Sequence, residues 1–234
     1  MYLRLLVAFF LVSVAMLKSA ERKLVMIAGP VSHPPLMHEF RAGSILLQKR
    51  LQDVPELTTV LVTNGWPTKI VNGETVDDNA VFDGADAVFI YSDGGPGHPA
   101  VQNDRLEFLR GLMQQGVSLG LAHYAVEVLP DKGGAEWKEW IGGHYEHEFS
   151  CNPIWTPEFD ALPVHPVTRG VRPFEARDEW YFNMRFRENR LSVQDILVAS
   201  PSDAVRDGPY VYPKGPYSHI QAAKGRRETM MWTV

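Results

Sequence analysis

Continuous apolar runs, each closed by glycine, proline or a polar loop, set the pattern of this chain. Lys23 to Ala28 (KLVMIA) is almost uninterruptedly apolar and ends at Gly29-Pro30, as a strand buried on both faces of a parallel sheet would. Thr59 to Val62, Ala87 to Tyr91 (AVFIY) and Val117 to Ala122 (VSLGLA) repeat the pattern. Between them the spacing turns helical. His38 to Leu51 offers Phe40, Ile45, Leu46 and Leu47 to one buried face, and Asn103 to Gln115 offers Leu106, Leu109, Leu112 and Met113. Strands alternating with helices predict an α/β, doubly wound parallel sheet with helices on both faces. Such sheets bind ligands beyond the carboxyl ends of their strands. Val25, Ile27, Val88, Phe89, Leu119 and Leu121 should then be inaccessible. After Gly133 the pattern loosens into Trp-, Pro- and Gly-rich loops, with strand-like runs at Glu179 to Phe186, Asp195 to Ala199 and from Glu228 onward. The sequence stops at Val234 inside that last apolar run, so its C-terminal part is expected to be truncated.

Composition narrows the class. A chain of 234 residues that is 45% hydrophobic can bury one sizeable core, so residues 21–234 are expected to form a single domain. Residues 1–20 are set apart: Arg4 precedes the apolar run Leu5 to Val12, which continues to Leu17, and Ser13, Ala15, Ser19 and Ala20 supply small residues for cleavage. That is the pattern of a secretory signal peptide, and the run is short for a membrane span. The protein is therefore expected to be secreted or periplasmic, with no membrane attachment after cleavage. Losing residues 1–20 removes Arg4 and Lys18 and no acid, moving the net charge from −5 to −7. An acidic body without a basic stripe argues against nucleic acid as a partner. Cys151 is the only cysteine, so no intrachain disulfide can form.

The chemistry is densest from Gly142 to Phe182, where His144, Glu146, His147, Glu148, His165, Asp178 and Glu179 are interleaved with Trp, Tyr and Phe. Imidazoles and carboxylates among aromatic walls suit a polar-ligand or metal site. GGHYEHEF with the following NPIW, then HPVTRGV, then DEWYFNMRF resemble the trehalose-utilisation family called ThuA-like, over residues 23 to 234. The resemblance implies a flavodoxin-like domain related to class I glutamine amidotransferases, with a role in sugar metabolism. In those amidotransferases a nucleophilic cysteine occupies the elbow between a strand and the next helix. Here that position is His123 or lies within one residue of it, and Cys151 falls in a distant loop, so thioester chemistry has no nucleophile. Glutamine amidotransferase activity is excluded on that ground.

The candidate residues follow from position and residue type. His123 should emerge at the sheet's carboxyl edge, and His33 lies in the loop after the first strand. Glu179 beside Trp180, Tyr181 and Phe182 is the preferred acid or base, since burial against rings raises a carboxyl pKa. His123, Glu179 and His147 are the catalytic candidates. His33, His98, Asn152, Trp155, Asp178 and Trp180 are substrate-binding candidates, the rings for sugar faces and the polar groups for hydroxyls. Neutral imidazoles with a carboxylate also suit zinc or a similar divalent ion, with His33, His123, His147 and Glu179 as ligands; an acid–base site of the same residues without metal stays open beside it. Asp178 could instead bond the Arg169/Arg172 loop, and His165 should order its own turn. Gly94, Gly95 and Gly97 read as a tight strand-to-helix connection. The partner is expected to be a small-molecule sugar. Two classes remain: an enzyme acting on a sugar or keto-sugar, or a noncatalytic carbohydrate-binding protein on an inherited enzyme fold.

Overall fold

The computed structural model describes residues 21–234; the segment read as a signal peptide lies outside the described residues. Four parallel strands form the central sheet: β1 (Arg22–Ala28), β2 (Leu57–Val62), β3 (Ala87–Tyr91) and β4 (Ser118–Ala122), in the order β2-β1-β3-β4. The register runs without interruption, with Val25 opposite Val60 and Val88, and Val88 opposite Leu119. Period-two alternation then sorts the side chains. Val25, Ile27, Val88 and Ile90 join the main core with Leu109 and Leu112 of α2 (Arg105–Gln114) and Trp137 of α3 (Gly134–Trp140). Tyr91 faces the other way, against Phe40 and Gly43 of α1 (Phe40–Leu51). Helices on both faces of a parallel sheet make this the flavodoxin-like, doubly wound fold that the alternation predicted.

The elements correct two details and add a third. In α1 only Phe40 and Ser44 are buried, while Ile45 and Leu46 are exposed. The turn that meets the sheet is thus Phe40-Gly43-Ser44, an i, i+3, i+4 set, and the Ile-Leu pair points away from it. Phe89, Leu119 and Leu121 are half-buried rather than inaccessible, because β4 is the outer strand and a cavity runs along it. A hairpin pairs Thr68–Val71 with Glu74–Asp77 through Asn72-Gly73, both at positive φ. That is the dipeptide a two-residue hairpin turn demands.

A second layer follows α3. Glu179 to Phe186 does not form one strand: Asp178–Glu179 pairs with Ile154–Trp155, Phe182 bridges Cys151, and Arg185–Phe186 pairs with Gly143–His144. Only β5 (Gln194–Ala199) and β6 (Glu228–Thr233) make a longer antiparallel pair. These segments enclose a second core of Trp155, Phe159, Phe182, Ile196 and Ile220. Below it Arg206, fully buried, donates to Glu228 at 2.8 Å and to the carbonyl of Arg226 at 2.5 Å. Desolvating a guanidinium is tolerable only with such partners. Glu228→Ala should therefore cost ~3–5 kcal/mol of stability, measured as a lower denaturant midpoint with unchanged slope; a loss below ~1 kcal/mol would mean that Arg206 reaches water.

Candidate functional site

Three loops leave the carboxyl ends of β1, β3 and β4 on one edge of the sheet, and the strand order reverses between β1 and β3. Such a switch point is where doubly wound folds hold ligands. The β1 loop carries His33 and His38, the β3 loop Ser92 and Asp93, and His123 begins the short helical turn after β4. Glu179 arrives from the second layer, on the two-residue strand paired with Ile154–Trp155.

These residues converge. Nε2 of His38 lies 3.3 Å from Oε2 of Glu179, and Nε2 of His123 lies 3.5 Å from the same oxygen. The imidazole rings of His38 and His123 meet edge to face at 4.9 Å, and Tyr181 packs on His123 at 4.7 Å. On the other flank Ser32 Oγ donates to Asp93 Oδ1 at 2.8 Å and contacts His33 Nδ1 at 2.8 Å, with His33 and His38 rings 4.0 Å apart. The ligand-type atoms of His38, His123 and Glu179 lie within 4.8 Å of one another, and so do those of His33, His38 and Asp93. Either group has the residue types and spacing to hold a cation.

Two cluster members sit in backbone that an ordinary residue avoids. His38 has φ +49 and His123 φ +52, each costing on the order of 1–3 kcal/mol outside glycine. At His123 this strained conformation falls on the strand-to-turn elbow, the place where related folds expose a reactive side chain. Nine other non-glycine residues among those described share a positive φ; what marks these two is that both aim imidazoles at one carboxylate.

Electrostatics set the protonation states. Burial lowers the His123 pKa, a shift that the nearby Glu179 charge opposes, so the ring is neutral at pH 7. Glu127, four residues on, is pushed up to about 7, by burial first and by Glu179 second. No hydrogen bond reaches its side chain among the described residues, and the Gly94-Gly95 backbone lies directly against it. A Cβ on Gly94 would stand 2.2 Å from the carbonyl of Tyr124 and 2.8 Å from the Cβ of Glu127. Gly94 and Gly95, read from sequence as part of a tight strand-to-helix connection, therefore also serve close packing against this wall. Tyr124, Tyr145 and Tyr181 are raised chiefly by burial, with Glu127 and Glu179 adding to each. They remain neutral donors. Asn152 completes the site from behind: its Nδ2 donates to Glu179 Oε1 at 2.8 Å, and its Oδ1 accepts from the Tyr212 amide at 3.2 Å.

A cavity of about 790 Å³ opens beside the cluster, with His123, Asp178 and Glu179 at one end and Phe89, Leu121, Tyr181 and Trp232 along its walls. Trp180 also lines it, its Nε1 donating to the Ala176 carbonyl at 2.9 Å. Asp178 is exposed and accepts from the Glu179 amide at 2.8 Å; it makes no bond to Arg169 or Arg172.

Other candidates lie elsewhere. His147 is exposed, its ring beside Tyr212, and stands in neither cation-type group; His38, which the sequence reading passed over, takes the place expected for it. His98 does not line the cleft: it is fully buried against Trp137, caps the next turn by accepting from the Ala100 amide at 3.0 Å, and burial lowers its pKa to about 3. Trp155 is a core ring of the second layer, not an exposed stacking plane. His144 is buried, Glu146 is held by Arg185, and His165 caps the turn that follows it, as expected. Cys151 is buried with its thiol pKa raised by burial, the opposite of an activated nucleophile.

No protein-family model matches the chain, and no curated protein matches it. Among solved structures, a protein designated ThuA-like from Bacteroides uniformis ATCC 8492 is similar, with a TM-score of 0.58 and 13% identity over 92% of this chain and 78% of that one. At that identity the likeness shows a shared fold.

Glu127 gives a checkable consequence. Its folded pKa of about 7 stands above the ordinary 4.5, so the folded state binds the proton more tightly and stability falls as pH rises from about 4.5 to about 7. In chelator-containing buffer, Glu127→Gln should match the parent near pH 5 and exceed it by ~2–3 kcal/mol above pH 7.5, read from urea unfolding at both pH values. An advantage that does not grow with pH would show the carboxyl to be solvated.

Proposed function

We propose that the protein is an enzyme of carbohydrate chemistry, using the His38–His123–Glu179 cluster to move a proton next to the carbonyl of a sugar or keto-sugar. The observation that carries the reading is the convergence of two strained histidines on one half-buried carboxylate at the mouth of a cavity. A pure binding cleft would use neutral hydrogen-bonders and stacking rings, without three clustered titratable groups, two of them held in costly backbone. The sugar class is supported by the likeness to a ThuA-like fold and by the wall of Tyr124, Tyr181 and Trp180, which offers aromatic planes and hydroxyl partners together.

The step needs few parts. Glu179, oriented by Asn152, takes the proton from the carbon beside the carbonyl, and the C–H electron pair moves into the enolate. The carbonyl oxygen takes a proton from a neutral donor, for which Glu127 is the carboxyl that still holds one near neutral pH. In an isomerisation Glu179 returns its proton to the former carbonyl carbon while the adjacent hydroxyl gives its proton to Glu127; in an elimination the C–O bond of the next carbon breaks, Glu179 passes its proton to the leaving oxygen and the enol proton returns to Glu127. In both, the protons gained and lost by the two carboxyls balance.

The test is turnover of 3-keto-glycosides and disaccharides by the full chain. His123→Ala and Glu179→Gln should each lower kcat at least ~100-fold with melting temperatures within a few degrees of the parent. Sugar binding that survives both substitutions, with no turnover of any sugar by the parent, would leave a noncatalytic binding protein instead.

A further inference from the structure

We infer that His38, His123 and Glu179 hold a divalent transition-metal ion of the zinc class, through the Nε2 atoms of both histidines and Oε2 of the glutamate. The inference rests on the same site as the proposed function and deepens it. The distances carry it. Both Nε2 atoms face one carboxylate oxygen, at 3.3 and 3.5 Å. A charge-assisted hydrogen bond would close to about 2.7–2.9 Å, so the three groups are gathered without bonding well to one another. Two ligands about 2.0–2.2 Å from a tetrahedral ion stand about 3.3–3.6 Å apart, which is the spacing found.

Charge points the same way. Asp93 and Glu179 lie at this edge, and among the described residues neither pairs with Lys or Arg; their only ion-pair partners are histidines. Other clustered carboxylates of this protein are answered by guanidinium groups, as Glu146 is by Arg185 and Asp77 by Arg105. A cation is the missing counter-charge. The surroundings also suit a metal centre. Asn152 holds Glu179 Oε1 at 2.8 Å, which turns Oε2 toward the imidazoles.

The neighbouring group of His33, His38 and Asp93 competes for His38. There, however, the Ser32 hydroxyl already contacts both His33 Nδ1 and Asp93 Oδ1 at 2.8 Å. Those atoms have a protein partner; the three in the first group have only each other and Asn152. Three protein ligands leave a fourth position for water or a substrate oxygen, as in catalytic rather than structural zinc sites. An ion there would polarise the carbonyl of a keto-sugar as a Lewis acid, in place of the proton that Glu127 would donate without it.

Full-length protein stripped with chelator and titrated with Co²⁺, followed by visible absorption and calorimetry, tests the assignment. One ion per chain is expected, with the intense absorption of a four-coordinate site. His38→Ala and Glu179→Gln should each weaken binding about 100-fold or more, while His147→Ala should bind like the parent. If His38→Ala fails to fold, the isosteric Glu179→Gln carries the test, with circular dichroism confirming its fold. No stoichiometric ion in the parent, parent-like affinity in the folded variants, or loss of binding in His147→Ala would each overturn the site. Sugar turnover by the stripped protein would remove the ion and leave the acid–base reading. Tight ion binding without turnover of any sugar would remove the enzyme and leave the ion.

Discussion

Parallel pairing of β1, β3 and β4 is the constraint from which the candidate site derives. Because the three strands run the same way, the loops after Ala28, Tyr91 and Ala122 must all leave on one edge. His38, Asp93 and His123 are thereby neighbours although they are 30–85 positions apart along the chain. An antiparallel arrangement of the same strands would send His123 or Asp93 to the opposite end. The sheet supplies placement and nothing else; the chemistry comes from the loops it aims and from the second layer folded over them.

That second layer brings the cluster its carboxylate. Glu179 is fixed by Asn152 behind it and faces two imidazoles in front. The Tyr212 amide holds the other end of Asn152, so the Tyr-rich loop near residue 212 is tied to the carboxylate through one amide side chain. The cavity beside Glu179 is walled by β4 on one side and by β6 on the other. Substrate size and shape are therefore set between the layers, while charge and protonation are set within the cluster. The same burial that keeps His123 neutral keeps Glu127 protonated to about pH 7, which is how one low-dielectric edge can present a base and an acid together.

The sheet was readable because strands buried on both faces need apolar residues at every position, and four such runs are hard to mistake. AVFIY matches β3 residue for residue. The second layer was not readable in the same way. Apart from β5 and β6 its strands are two residues long, too short for any period to show, and Glu179 to Phe186 reads as one strand only until its partners are known. The site divides likewise. His123 and Glu179 could be picked out from a strand end and an aromatic flank, whereas His147 looked equivalent to them only because His144, Glu146 and Glu148 surround it. The backbone there turns His144 inward and His147 out to Tyr212. His38 carries no pattern of its own, since its positive φ in a Pro-rich loop cannot be seen in sequence. The one available signal was its place in the same strand-end loop as His33. Asn72-Gly73 was a visible hairpin signal between two mostly polar strands.

The central claim is that two strained loop histidines and one inter-layer carboxylate form a single cation-binding centre. Anomalous diffraction from crystals of the full chain grown with Zn²⁺, collected on both sides of the zinc absorption edge, addresses it most directly. The account predicts one strong peak about 2.0–2.2 Å from His38 Nε2, His123 Nε2 and Glu179 Oε2, with a further oxygen completing the shell. A map with no peak there, or with zinc bound at His147 while His38 and His123 stay apart from Glu179, would contradict it.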